Sequence, residues 1–211
     1  TLSVRKQIAQ SFVAAAYTHS DKPNSDLIDL IQGTGIGGII FMQGNPKNQV
    51  KVSAAYQERS KIPLLMAIDA EWGLNMRLSQ TTSFPYQMAL GALKDDNLIY
   101  QMGFEIGLQM RKMGLHANFA PVVDVNNNPL NPVINYRSFG ENRTRVSQKS
   151  IAYMKGLQAA GIMAVAKHFP GHGDTQTDSH YSLPVIEHNK SRLDSVELYP
   201  FQKLIQENDD G

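Results

Sequence analysis

One run, Val165-Ala-Lys-His-Phe-Pro-Gly-His-Gly-Asp-Thr-Gln-Thr-Asp-Ser-His180, gathers more titratable side chains than any other stretch, including three of the six histidines. Two chemistries suit it. His168-x-x-x-His172-x-Asp174 and Asp178-x-His180 supply nitrogen and oxygen donors of the kind that hold zinc. Asp178 and His180, two residues apart, also allow a carboxylate to reach an imidazole, fix its tautomer and support its protonated form, which makes a proton donor. A His-x-x-x-His pair shares a face only on a helix, and Pro170 and Gly171 stand between these two histidines. That weighs toward acid–base chemistry and leaves the metal as its rival. The plain structural alternative is a loop folded on itself through Asx turns.

The elements around this run must position it. Gly161-Ile-Met-Ala-Val-Ala166 is small, apolar and continuous, the pattern of a strand buried on both faces of a parallel sheet. The titratable cluster therefore begins at a strand's carboxyl end, where α/β folds place their chemistry. Two other strand ends deliver polar groups in the same way. Pro63–Ile68 leads to Asp69, Glu71 and Arg77, where Asp69 either serves a site or simply caps the turn or pairs with Arg77. A fourth strand, His116–Asp124, runs into an Asn- and Pro-rich loop over 126–135 that is too long for a mere connection. Beyond it, Arg137 presents a guanidinium suited to ligand hydroxyls or a carboxylate, or remains a surface charge.

The remaining chain repeats strand and helix. Helices are expected over Leu2–Gln10, Asp26–Gln32 with Ser25 as cap, Pro46–Ser60, Lys94–Met113, Thr144–Ala160, Ser191–Val196 and Pro200–Glu207. Strands are expected at Phe12–Tyr17 and Ile39–Met42 as well. Gly33-Thr-Gly-Ile-Gly-Gly38 matches the dinucleotide fingerprint in letters, but it follows a helix and opens a strand, the reverse of what that motif needs. A helix end with a tight entry into a strand is the better reading. The order is that of an α/β protein, either a (β/α) barrel or a doubly wound sheet. A closed eight-stranded barrel takes about 250 residues, and only five strands are clear in these 211. Since an open barrel leaves two edges unpaired, the chain is expected to belong to a longer polypeptide.

Composition narrows the partners. Twenty Lys and Arg balance nineteen Asp and Glu, so no net field favours nucleic acid or an anionic membrane, and a small or uncharged partner is expected. Cysteine is absent, which excludes disulfides and thiolate chemistry. No apolar run is long enough to cross a bilayer. One domain is expected from the length.

The run from Lys167 to His180 resembles the signature of family 3 glycoside hydrolases, in their bacterial β-N-acetylglucosaminidase branch. Ile68-Asp-Ala-Glu-Trp-Gly73 with Arg77 resembles that family's Asp-x-Glu-x-Gly segment, and Asn118–Asp124 with Arg137-Ser-Phe-Gly140 resembles its next one. The Ala-Glu-Trp wording is nearest to Bacteroidetes-type members. The resemblance spans the chain and implies a TIM-type (β/α)8 barrel, of which residues 1–211 would be the amino-terminal part, truncated after about five βα units. It implies a retaining exo-β-N-acetylglucosaminidase acting on cell-wall muropeptides or related glycans, with a small carbohydrate as substrate and no cofactor or metal. His180 would be the general acid/base and Asp178 its partner. Asp69, Arg77, Arg137, Lys167 and His168 would grip the sugar's hydroxyls and acetamido group, while His172 and Asp174 shape the loop. The family's nucleophile is an aspartate on a later strand, absent from this chain. Bacteroidetes-type members imply an exported, periplasmic protein, and other branches a cytoplasmic one. An inactive carbohydrate-binding module and a zinc-dependent hydrolase are the alternatives.

Overall fold

A computed structural model of the protein describes residues 2–176 and 183–209. Five parallel strands follow one another in chain order: β1 (Val13–Thr18), β2 (Gly38–Gly44), β3 (Leu65–Ile68), β4 (Ala117–Asn118) and β5 (Met163–Ala164). Ahead of β1 lies α1 (Val4–Ala9). The crossovers hold α2 (Ser25–Asp29), α3 (Pro46–Arg59), α4 (Gln87–Gly91), α5 (Asn97–Lys112) and α6 (Arg143–Ala159), and α7 (Lys190–Ser195) and α8 (Tyr199–Asp209) follow β5. A doubly wound sheet reverses its strand order at a switch point. This one does not, so of the two architectures open to the sequence the barrel type stands.

The residues divide into two compact units. The first comprises 1–83, 106–119 and 160–163. Its core is the apolar face of β2 and β3, with Ile39, Phe41, Met66 and Ile68 fully buried, and α3 adds Val52 and Tyr56. Registers Phe41↔Ile68 and Ile68↔Asn118 bring the carboxyl ends of β3 and β4 level, with β2 running on past them to Gly44. The second unit comprises 84–105, 120–159 and 164–211. There α6 and α8 pack around Val123, Met154, Phe201 and Leu204, with Ile151, Ala164 and Ala166 against them.

Local chemistry explains where the elements begin and end. Asn24, not Ser25, caps α2, its Oδ1 accepting from the N–H groups of Asp26 and Leu27. After Asp29 the helix loosens into a π turn over Leu30–Thr34, which Gly35 closes at φ +79°, a conformation that glycine adopts without a Cβ clash. The expected helix from Lys94 starts at Asn97 instead, where the Asp95 carboxylate accepts the Asn97 N–H at 2.9 Å.

Two strands differ from expectation. β4 is two residues rather than the nine of His116–Asp124, because Pro121 has no N–H for the ladder, and beyond it Val122 makes only an isolated bridge to Lys167. β5 is likewise short and is not buried on both faces: Met163 is 57% exposed and Ala164, Val165 and Ala166 are half-buried. It stands last in the strand order, so among the described residues it has a sheet neighbour on one side only.

Candidate functional site

In the first unit, Asp69 emerges one residue beyond β3. Arg77 Nη2 donates to its Oδ2 at 2.6 Å, with both side chains largely enclosed. Asn118, fully buried at the end of β4, holds the segment that carries Asp69. Its Oδ1 accepts the Ala70 N–H at 2.9 Å and its Nδ2 donates to the Ala70 carbonyl at 3.2 Å. Arg77 is held by its backbone, the carbonyl accepting the Gly44 N–H at 3.1 Å. The alternative in which Asp69 pairs with Arg77 is therefore realised, and Glu71 beside them is buried. A carboxylate and a guanidinium at a strand end can each bind a polyol, the first accepting and the second donating.

In the second unit the organising group is Asp124, whose side chain is wholly buried. Its Oδ2 takes the His168 ring Nδ1 at 2.7 Å and the His168 N–H at 3.2 Å, and its Oδ1 takes the His172 N–H at 2.6 Å. One carboxylate thus fixes the backbone at two points of the loop and one imidazole. On the other side of that ring, Arg137 Nη2 lies 3.3 Å from His168 Nε2. A guanidinium has only donors, so Nε2 accepts, and the ring proton sits on Nδ1 facing Asp124. Arg137 in turn donates from Nη1 to the Val133 carbonyl at 3.3 Å. Lys167 is placed by its backbone, donating to Pro121 O at 3.1 Å and accepting from Val123 N at 2.8 Å.

The loop over 126–135 is pinned by Asn131, a buried amide with four partners. Its Nδ2 donates to the carbonyls of His172 (2.6 Å) and Thr175 (2.9 Å), and its Oδ1 accepts the N–H groups of Val133 and Ile134. His172 is buried, with Nδ1 on the Thr175 hydroxyl. Asp174 pairs with His188 Nε2, and its carbonyl accepts from Asn128 Nδ2 at 3.2 Å.

The structure thus joins Asp69 to Arg77, and His168 to both Asp124 and Arg137. His168 and His172 face each other edge to face, 6.0 Å between ring centroids. Among the described residues, the one trio of His, Asp and Glu that converges is Asp174, His188 and Glu197. Asp178 and His180, expected to act as the proton-transfer pair, lie outside the described residues. Asp124, Asn118 and Asn131 escaped the sequence reading as site groups. For Asp124 a signal existed, since it ends an apolar run as Asp69 does.

The sequence matches the glycosyl hydrolase family 3 N terminal domain over residues 3–211. It is 40% identical over 199 residues to beta-hexosaminidase A of Pseudoalteromonas piscicida, covering 88% of this chain and 33% of that protein. It is 31% identical over 190 residues to a beta-hexosaminidase of Pasteurella multocida, covering 86% and 54%. Among solved structures, a family 3 beta-N-acetylglucosaminidase from Paenibacillus sp. str. FPU-7 superposes with a TM-score of 0.90 at 39% identity, covering 98% of this chain and 40% of that one. The chain therefore spans between a third and about half the length of these relatives.

Proposed function

The chain belongs to glycosyl hydrolase family 3 through its N-terminal, TIM-barrel-like domain, and from that premise we propose that it carries the sugar-binding and proton-transfer part of a retaining exo-β-N-acetylglucosaminidase. The supporting observation is the Asp124–His168–Arg137 chain of contacts, which holds a fixed row of polar groups just ahead of Asp178 and His180 in the sequence. The relatives named as beta-hexosaminidases direct the reading toward N-acetylated sugars.

In this reading His180, supported by Asp178, gives its proton to the glycosidic oxygen as a carboxylate attacks the anomeric carbon and the carbon–oxygen bond breaks. The same imidazole then removes a proton from the water that releases the sugar. The attacking aspartate belongs to a later strand of the family's barrel. Asp69, Arg77, Arg137, Lys167 and His168 bind the terminal sugar, with hydrogen bonds that tighten as the ring flattens toward an oxocarbenium ion. The glycans are cell-wall muropeptides or related chains ending in N-acetylglucosamine.

The test uses the full-length protein and two N-acetylglucosaminides, one with an acidic aryl leaving group and one with a sugar leaving group. His180→Ala is expected to slow cleavage of the second by about 10²–10⁴-fold, the range for lost general acid catalysis, and cleavage of the first much less, because an acidic phenol departs without a proton. Equal loss on both substrates would refute the acid role. Binding without turnover by the unaltered protein would leave an inactive carbohydrate-binding module.

A further inference from the structure

We propose that Asp174, His188 and Glu197, all in the second unit, form a binding site for a divalent transition-metal cation, zinc or manganese. Each offers one ligand atom, and the three atoms lie within 4.8 Å of one another. Ligands about 2.1 Å from a tetrahedral zinc stand about 3.4 Å apart, so the trio closes on an ion by side-chain adjustment alone. One imidazole with two carboxylates is a donor set for borderline cations.

The independent observation is Glu197. Its side chain is 4% exposed, and although Oε1 accepts from Arg192 Nη2 at 3.1 Å, Oε2 is enclosed and among the described residues has no hydrogen-bond partner. A buried carboxylate oxygen left without a donor is costly, and a cation would satisfy it. Arg192 Nε is also enclosed and, among the described residues, without a partner, so a two-pronged Arg192–Glu197 pair is the competing arrangement. The other two ligands are reachable: Asp174 and His188 line a cavity of about 580 Å³ together with Asn127, Gln176 and Glu187. Asn127 Oδ1 there is a further enclosed acceptor without a partner among the described residues, available to a metal-bound water. Today Asp174 and His188 share a hydrogen bond; the ion would take the place of that proton between them.

The site stands apart from the glycosidase reading, and its test needs no substrate. Metal-free protein of the full chain is titrated with zinc and with manganese by calorimetry, and thermal melts are recorded with and without each ion. One equivalent bound, a Tm raised by several degrees, and affinity at least tenfold weaker in both His188→Gln and Glu197→Gln are expected, with His19→Gln as an exposed-histidine control that changes nothing. Glu197→Gln keeps the side chain's volume, and if it fails to fold His188→Gln decides. Absence of stoichiometric binding overturns the site, as does binding that both variants retain, and a Tm that neither ion shifts identifies the Arg192–Glu197 pair as sufficient.

Discussion

Asp124 engages His168 twice, once at the backbone N–H and once at ring Nδ1, 3.2 and 2.7 Å from a carboxylate oxygen with no solvent exposure. The same carboxylate holds the His172 N–H. Asp124→Asn keeps the size but turns one acceptor into a donor that faces N–H groups. Stability to urea is expected to fall by about 1–3 kcal/mol, the cost of buried polar groups left without partners. In the full-length protein, KM for an aryl N-acetylglucosaminide should rise as His168 loses its orientation. Unchanged unfolding and kinetics would show that the loop is held by other contacts.

Gln87 repairs a break in the ladder. Its Nε2 donates to the Val122 carbonyl at 2.8 Å and its Oε1 accepts the Val122 N–H at 3.1 Å, all buried. Gln87→Leu fills the space but strands both backbone groups, for an expected loss of about 2–4 kcal/mol in chemical denaturation. A loss under about half a kcal/mol would mean that water or a neighbour replaces the amide.

Helices α5 and α6 approach at paired glycines. A Cβ on Gly103 would stand 2.5 Å from the Tyr153 carbonyl oxygen, and one on Gly156 would meet the Tyr100 carbonyl. Gly103→Ala should therefore destabilise by about 1–3 kcal/mol through overpacking, against the gain of up to about 1 kcal/mol that alanine brings to a helix interior. Gly33→Ala, which meets nothing within 4 Å, should be neutral or slightly stabilising. A stabilising Gly103→Ala in thermal melts would disprove the close approach.

Tyr56 carries a pH signature. Burial raises its phenol above the ordinary value of 10.0, and its oxygen accepts the Asn24 N–H at 3.0 Å. The folded state thus holds the proton more tightly than the unfolded one. The associated stability is complete below about pH 10 and is lost as pH rises from there through the folded value. Urea unfolding from pH 8 to 11 should show a steeper alkaline decline for the natural protein than for Tyr56→Phe. Parallel declines would place the alkaline loss in other groups.

The sequence reading and the structure agree best where the signal is local. The apolar runs at 39–42 and 63–68 and the helical patterns over 46–60 and 144–160 match their elements to within one or two residues at each end, because period and capping are properties of neighbouring residues. Sequence and structure part at β4 and β5, where a continuous apolar run does not make continuous pairing. Whether such a run pairs depends on which backbone lies beside it.

By itself the sequence determined the alternation of strands and helices, the placing of Asp69, Arg77, Arg137, Lys167 and His168 at or beyond strand ends, and the kinship with family 3. Only the tertiary structure decided the sequential strand order, the coupling of Asp69 to Arg77, the command of Asp124 over His168 and His172, and the meeting of Asp174 with His188 and Glu197. The physical reason is range. Propensity, periodicity and capping act over a few residues. A hydrogen bond between Asp124 and His168 spans 44 positions, and exists only once the folded backbone has brought the two within 3 Å.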